Sequence, residues 1–300
     1  MVNRRQFFLG TAVAVSAARA WGQHAGQSKL DRVAVMSYSF DSIVKFGEHV
    51  GDARRTIDIL DFPAMIAQRY GVHHVEIQHS HFRSTEPDYF EEFRNRLKDA
   101  KSQMTQLVLE FDALNVSSPD PVLRMEAIDL TKRWIDHAVV LGCPRVMVNQ
   151  GSLAPAVRPT AIDALKKITA YAKTKNVFVT MENRDDPPGE GGRAKASGPA
   201  SDWHDEFEVM KAAGVYANPD PGGFPDDQAR WAGLRALYPL SSGSSHLQYN
   251  PKRWNEAKVI QISKEVGYKG LFSIEAIPEA NGRDPYKAVQ SILDEYLRDI

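Results

Sequence analysis

Four times along the chain a helical run stops at glycine and an aliphatic strand follows, at Tyr70-Gly71, Leu141-Gly142, Ala213-Gly214 and Val266-Gly267. Glycine enters the left-handed conformation without a Cβ penalty, so each pair marks a helix C-terminus. The same rhythm runs through the rest of the chain. Short β-rich apolar runs lie at 33–38, 74–77, 106–111, 145–148, 177–181, 215–217, around 240–247, and at 270–274. Between them, Leu, Ile and Ala recur at three- and four-residue spacing over 61–70, 89–103, 122–141, 160–175, 203–213, 228–237, 255–266 and 286–297, which predicts amphipathic helices. Strict alternation of strand and helix calls for a parallel sheet with the helices outside it. Eight pairs with no antiparallel remainder favour closure, so the expected fold is α/β, a single-domain (β/α)8 barrel over residues 31–300. An open doubly wound sheet is the structural alternative.

The length of 300 residues suits one such domain, and 43% hydrophobic with 25% charged residues is ordinary globular composition. A formal net charge of -1 gives no general electrostatic case for nucleic acid or an anionic membrane as partner. The one cysteine, Cys143, has no intramolecular disulfide partner and reads as a small packed residue. Composition leaves a homo-oligomer open.

The first residues read differently from the rest. Arg4-Arg5 stands just before the apolar run from Phe7 to Ala18, and Ala18-Arg19-Ala20 has the small-x-small form of a cleavage site. This segment, 1–22, resembles a twin-arginine (Tat) export signal. Its apolar run is short of the ~20 residues that span a bilayer. The resemblance implies a periplasmic or secreted protein with no stable membrane association after signal cleavage. Proteins exported this way cross the membrane folded, often with cofactor in place.

In a barrel, the residues that end the strands converge at one mouth. Glu182 follows the fifth run, Asp220 the sixth (Asn218-Pro219-Asp220-Pro221-Gly222), His246 lies in the seventh, and Glu275 closes the eighth. Each step is roughly one βαβ unit of about 30 residues. Four oxygen or imidazole donors at successive strand ends surround a single point. Three carboxylates and an imidazole make a hard shell suited to one divalent metal, Mn2+, Mg2+ or Co2+, with Zn2+ at lower coordination number. Glu182 and Glu275 end apolar runs, where a carboxylate is expensive unless it binds an ion or a hydrogen-bond partner. The loop from Arg184 to Ser201 is rich in Gly, Pro and charge, and on that face it is expected to cover the site.

Met181-Glu182-Asn183, Asp220-Pro221-Gly222, Ser245-His246-Leu247 and Ser273-Ile274-Glu275 resemble the Glu, Asp-x-Gly, His and Glu motifs of the xylose isomerase-like TIM barrels, the sugar phosphate isomerase/epimerase family. The likeness follows the element order of the whole mature chain and is specific at these four motifs. It implies a metal-dependent isomerase or epimerase that acts on a sugar or keto-sugar by proton transfer through a metal-stabilised enediolate. Glu182, Asp220, His246 and Glu275 become metal ligands, and Glu182 and Glu275 also the catalytic acid/base pair. The implied partner is a small carbohydrate. Glu76, His79, His81, Arg184 and Gln248 are the candidate contacts to it; His79 and His81 could instead be metal ligands or surface histidines, and Arg184 a solvated loop charge. A keto-sugar lyase or dehydratase on the same metal site, or a non-catalytic sugar-binding barrel, are the alternatives. The chain departs from the family at two places. Gly223 stands where many members have His or Asn, and Gln248 where many have Lys.

Overall fold

The computed structural model describes residues 29–111, 114–184, 202–277 and 281–300. The expected export signal, and the 184–201 loop past Arg184, lie outside the described residues.

Eight strands, β1 Val33–Met36, β2 His74–Gln78, β3 Gln103–Val108, β4 Arg145–Met147, β5 Phe178–Glu182, β6 Tyr216–Asn218, β7 Ser244–Leu247 and β8 Leu271–Ile274, form one sheet in the order β6-β5-β4-β3-β2-β1-β8-β7. Every paired neighbour is parallel. The remaining seam, β6 to β7, is drawn together by a parallel bridge between Ala217 and Ser241 and by the Pro219 carbonyl, which accepts from His246 N at 3.0 Å and Ser245 Oγ at 2.7 Å. The sheet is therefore a nearly closed barrel, and the open doubly wound sheet is ruled out.

Among the described residues, eight helices follow the strands, α1 Phe62–Tyr70, α2 Pro87–Asp99, α3 Pro121–Leu141, α4 Arg158–Thr174, α5 Trp203–Ala213, α6 Asp227–Leu237, α7 Glu256–Glu265 and α8 Pro285–Asp299. Gly71, Gly142 and Gly214 cap α1, α3 and α5 with φ of 66–69°, as the glycine pattern predicts. The junction of α2 and β3 differs from expectation. The helix ends at Asp99 and the strand starts at Gln103, because Lys101 makes the left-handed turn (φ 53°) with no glycine to announce it. Gln103 N then bonds the His73 carbonyl at 2.8 Å, which pulls the segment into the sheet.

The main core lies between barrel and helices. Side-chain alternation sends Val75 and Ile77 outward into it, while Glu76 between them turns into the barrel. A second, small cluster of Met36, Val108 and Met147 packs separately from that core. The barrel interior above it is polar, with Glu76, Gln106, Thr180, Asn218 and His246 all buried. That inversion is what places charged chemistry at the centre of an apolar fold.

Arg230 of α6 is 1% exposed and lies 4.9 Å over the Trp254 ring. It donates to the Pro221 carbonyl at 2.8 Å, tying the turn after Asp220 to the helix layer, and pairs with Asp227. Beside it, Glu256 is buried with only the Trp254 Nε1 donor at 3.0 Å, and burial pushes its carboxyl up to about 8. An acid with a raised folded pKa keeps its proton in the folded state while the unfolded chain has lost it. Stability is then greatest below the unfolded value and falls as pH rises toward about 8. Glu256→Gln is expected to flatten that slope and to raise the denaturation midpoint at pH 8–9, measured by urea titration across pH.

Candidate metal centre

Glu182, Asp220, His246 and Glu275 meet at the C-terminal mouth of the barrel, with one donor atom of each within 4.8 Å of the others. They stand on four consecutive strand ends, β5 to β8, so the local reason for their convergence is the barrel itself. All four are buried, at 6%, 5%, 1% and 6% exposure. Three carboxylates so close and so dry repel one another, and charge of the opposite sign is what such a set requires.

The electrostatics follow from that crowding. Burial, with Glu182 and Glu275 beside it, holds the Asp220 carboxyl well above its usual range. Burial raises Glu182 too, but His246 and Arg184 outweigh it and leave the carboxyl below its ordinary value. Burial disfavours the charged His246 ring, yet Glu182, Glu76 and Glu275 together push it well above the usual histidine value. The His246 Nδ1 atom pairs with Glu182 Oε1 and lies 3.1 Å from Glu275 Oε2, but neither Nδ1 nor Glu182 Oε1 has a properly directed hydrogen bond. Two buried atoms without a directed partner, close together in a hard N,O set, fit a divalent cation that takes the place of the Nδ1 proton. Among the described residues this is the one cluster with that geometry.

Around the four, other side chains fix their orientation. Gln248 Nε2 donates to Asp220 Oδ2 at 2.8 Å and to Glu275 Oε2 at 2.9 Å, so its amide spans two of the carboxylates. Arg184 Nε donates to Glu182 Oε2 at 2.9 Å, and its other nitrogens pair with Glu110. The Asn149 amide reaches Glu110 Oε2 at 3.0 Å, and Gln150 Nε2 holds the Glu182 carbonyl at 2.9 Å. Asn183 clamps the sixth loop: its Oδ1 accepts from Asp220 N at 2.9 Å and its Nδ2 donates to the Asp220 carbonyl at 2.8 Å.

This clamp accounts for Gly223. A Cβ built there would collide with the Asn183 carbonyl oxygen and crowd its Nδ2. A side chain at 223 and the Asn183 clamp exclude one another. Gly223→Ala is expected to cost about 1–3 kcal/mol by overpacking and to weaken metal binding as Asp220 shifts. Urea denaturation and Mn2+ titration of the variant check both effects.

Of the five expected substrate contacts, the structure brings Arg184 and Gln248 against the metal-centre carboxylates. It places the other three differently. Glu76 lies in the barrel beneath His246, fully buried, with Oε1 2.9 Å from Nε2. His81 is fully buried, with both ring nitrogens engaged: Nδ1 is 2.8 Å from Ser37 Oγ and Nε2 3.1 Å from Asp41 Oδ1, while Phe46 covers the ring at 4.7 Å. That arrangement ties the loops after β1 and β2 together. His79 is half-buried, accepting from Glu110 N at 3.2 Å with Phe111 and Trp134 on its ring. Sequence reasoning missed Glu110, Asn149, Gln106 and the Asn183 clamp. Glu110 alone left a trace, as a carboxylate inside the apolar run 106–111. Cys143 is buried as expected, its thiol pushed up to about 12 by burial.

The family assignment rests on sequence as well as shape. The profile of the xylose isomerase-like TIM barrels matches residues 65–216, half of the chain, and the protein belongs to that family. No curated protein matches it. Solved structures do. A xylose isomerase domain protein from Planctomyces limnophilus shares 16% identity at a TM-score of 0.62, over 88% of this chain and 94% of its own. The D-psicose 3-epimerase of Clostridium cellulolyticum H10 shares 12% at 0.67, over 89% and 98%. The 3-keto-D-glucoside 4-epimerase of E. coli shares 14% at 0.66, over 89% and 99%. At such identities the likeness establishes the fold.

Proposed function

We propose that the protein is a metal-dependent sugar isomerase or epimerase that moves a proton at the carbon beside a ketose carbonyl. The observation that carries this reading is the buried Glu182, Asp220, His246, Glu275 cluster at the barrel mouth. The epimerases among its structural neighbours, described as acting on D-psicose and a 3-keto-D-glucoside, support the same reading.

A divalent ion held by these four residues would lend positive charge to the carbonyl and the adjacent hydroxyl, and so to the enediolate left when the proton departs. The protein's own groups do the rest. Glu182 and Glu275 come from β5 and β8, at opposite ends of the four-strand arc, and so approach the mouth from different sides. One carboxylate takes the proton and the other, as its acid, returns one to the opposite face. Arg184 holds Glu182 Oε2, and Gln248 holds Glu275 Oε2, so each proton carrier has one oxygen fixed by a neighbouring side chain. Gln248 brings no charge to the position where many relatives have Lys, which favours an uncharged hydroxyl partner.

The test is solvent exchange. In D2O the Mn2+-loaded protein is expected to introduce deuterium at the carbon next to the carbonyl of its keto-sugar, read by NMR across a panel. Exchange with release of water would redirect the assignment to a dehydratase. Binding with no exchange anywhere in the panel would leave a sugar-binding barrel. Export is proposed on the Arg4-Arg5 segment, and cell fractionation is expected to find the protein in the periplasm or medium.

A further inference from the structure

We infer that Glu76 is a positioning residue for the metal centre: a carboxylate that never touches the ion but orients His246 and strengthens its Nδ1 as a donor. The inference rests on the metal reading above.

Glu76 is 0% exposed, in the middle of β2, between two outward-facing aliphatic residues. An isolated carboxylate there would carry a desolvation penalty of several kcal/mol. Its Oε1 lies 2.9 Å from His246 Nε2 and accepts from Gln106 Nε2 at 3.1 Å, while the buried Oε2 has no hydrogen bond. Gln106 is itself locked, donating to Asn218 Oδ1 at 3.2 Å and accepting from Thr180 Oγ1 at 3.0 Å. Four strands thus converge through Glu76 on one imidazole nitrogen, across the barrel axis. With Nε2 donating its proton to Glu76, the tautomer is fixed, and the free lone pair is on Nδ1, the atom that faces Glu182 and Glu275. A carboxylate behind a ligating histidine raises the basicity of the ring, and removing such a partner typically weakens metal binding 10–100-fold.

A purely structural Glu76 makes a different prediction, and Glu76→Gln separates the two. The amide keeps an acceptor for Nε2–H and nearly the same shape, but loses the charge. Glu182 and Glu275 still stand beside the His246 ring, so the metal-free variant is expected to stay folded, with a urea midpoint close to that of wild type. Its Mn2+ dissociation constant, measured by competition with a chelating dye on the stripped full chain, is expected to rise by about 10–100-fold. In the Zn2+-loaded protein the His246 Nε2 proton is expected far downfield in wild type and shifted upfield in the variant. Glu76→Asp keeps the charge but withdraws it by one methylene, and it too is expected to lose at least about tenfold in affinity. It serves where Glu76→Gln does not fold. A variant whose Mn2+ affinity stays within about twofold of wild type overturns the inference while leaving the metal centre standing. A wild-type chain that takes up no Mn2+, Co2+ or Zn2+ overturns the metal reading, and this inference with it.

Discussion

Glu182→Gln and Glu275→Gln are each expected to lower solvent deuterium exchange into the substrate by about 10²–10⁴-fold, the range that positioned acid–base groups contribute. The amide retains an oxygen donor, so metal content falls less than turnover does. Arg184 keeps its Glu110 partner when Glu182 is neutralised, which limits the disturbance to the site. A single turnover run in both substrate directions then tells the two glutamates apart: the residue that serves one face limits the forward reaction, its opposite the reverse. Either variant retaining wild-type exchange, with metal still bound, would remove that residue from the proton path.

Stripping the protein of metal is expected to lower its Tm, and returning Mn2+ to restore it. An ion that binds only the folded chain stabilises it by about 4 kcal/mol at 1,000 times its dissociation constant, and at about 2–4 °C per kcal/mol for a chain of this size the shift is on the order of 10 °C. The physical source is the relief of repulsion among Glu182, Asp220 and Glu275, all buried around His246. Because Asp220 and His246 both hold protons to higher pH than usual in the metal-free site, metal must displace those protons to bind. Apparent affinity therefore rises with pH and weakens on acidification. Asp220→Ala is expected to abolish the Mn2+-induced shift altogether. A shift of equal size in that variant would place the ion elsewhere.

Much of this architecture is legible in the chain because barrels repeat. Gly71, Gly142 and Gly214 each stop a helix, and the four clustered residues stand at successive strand ends, so their convergence could be read from the order of the elements. The α2–β3 junction was not legible, since Lys101 adopts left-handed geometry that its side chain does not advertise. Glu76 was visible as a candidate but not in its place: alternation with Val75 and Ile77 turns it into the barrel, and only the fold shows His246 waiting there, 170 residues away. The Arg184–Glu110 pair and the Asn183 clamp are long-range contacts between loops, and no local pattern encodes either. His81 misled for a physical reason. A histidine after a strand reads as facing the mouth, whereas Ser37, Asp41 and Phe46 draw this one into the loop packing.

The most direct measurement is elemental analysis of the purified full chain, with and without added Mn2+ or Co2+, alongside His246→Ala. The expected result is close to one divalent ion per chain in the wild type, and little or none in the variant. A wild-type protein that holds no metal and takes none up would contradict it, leaving a barrel of this family without the centre proposed for its chemistry.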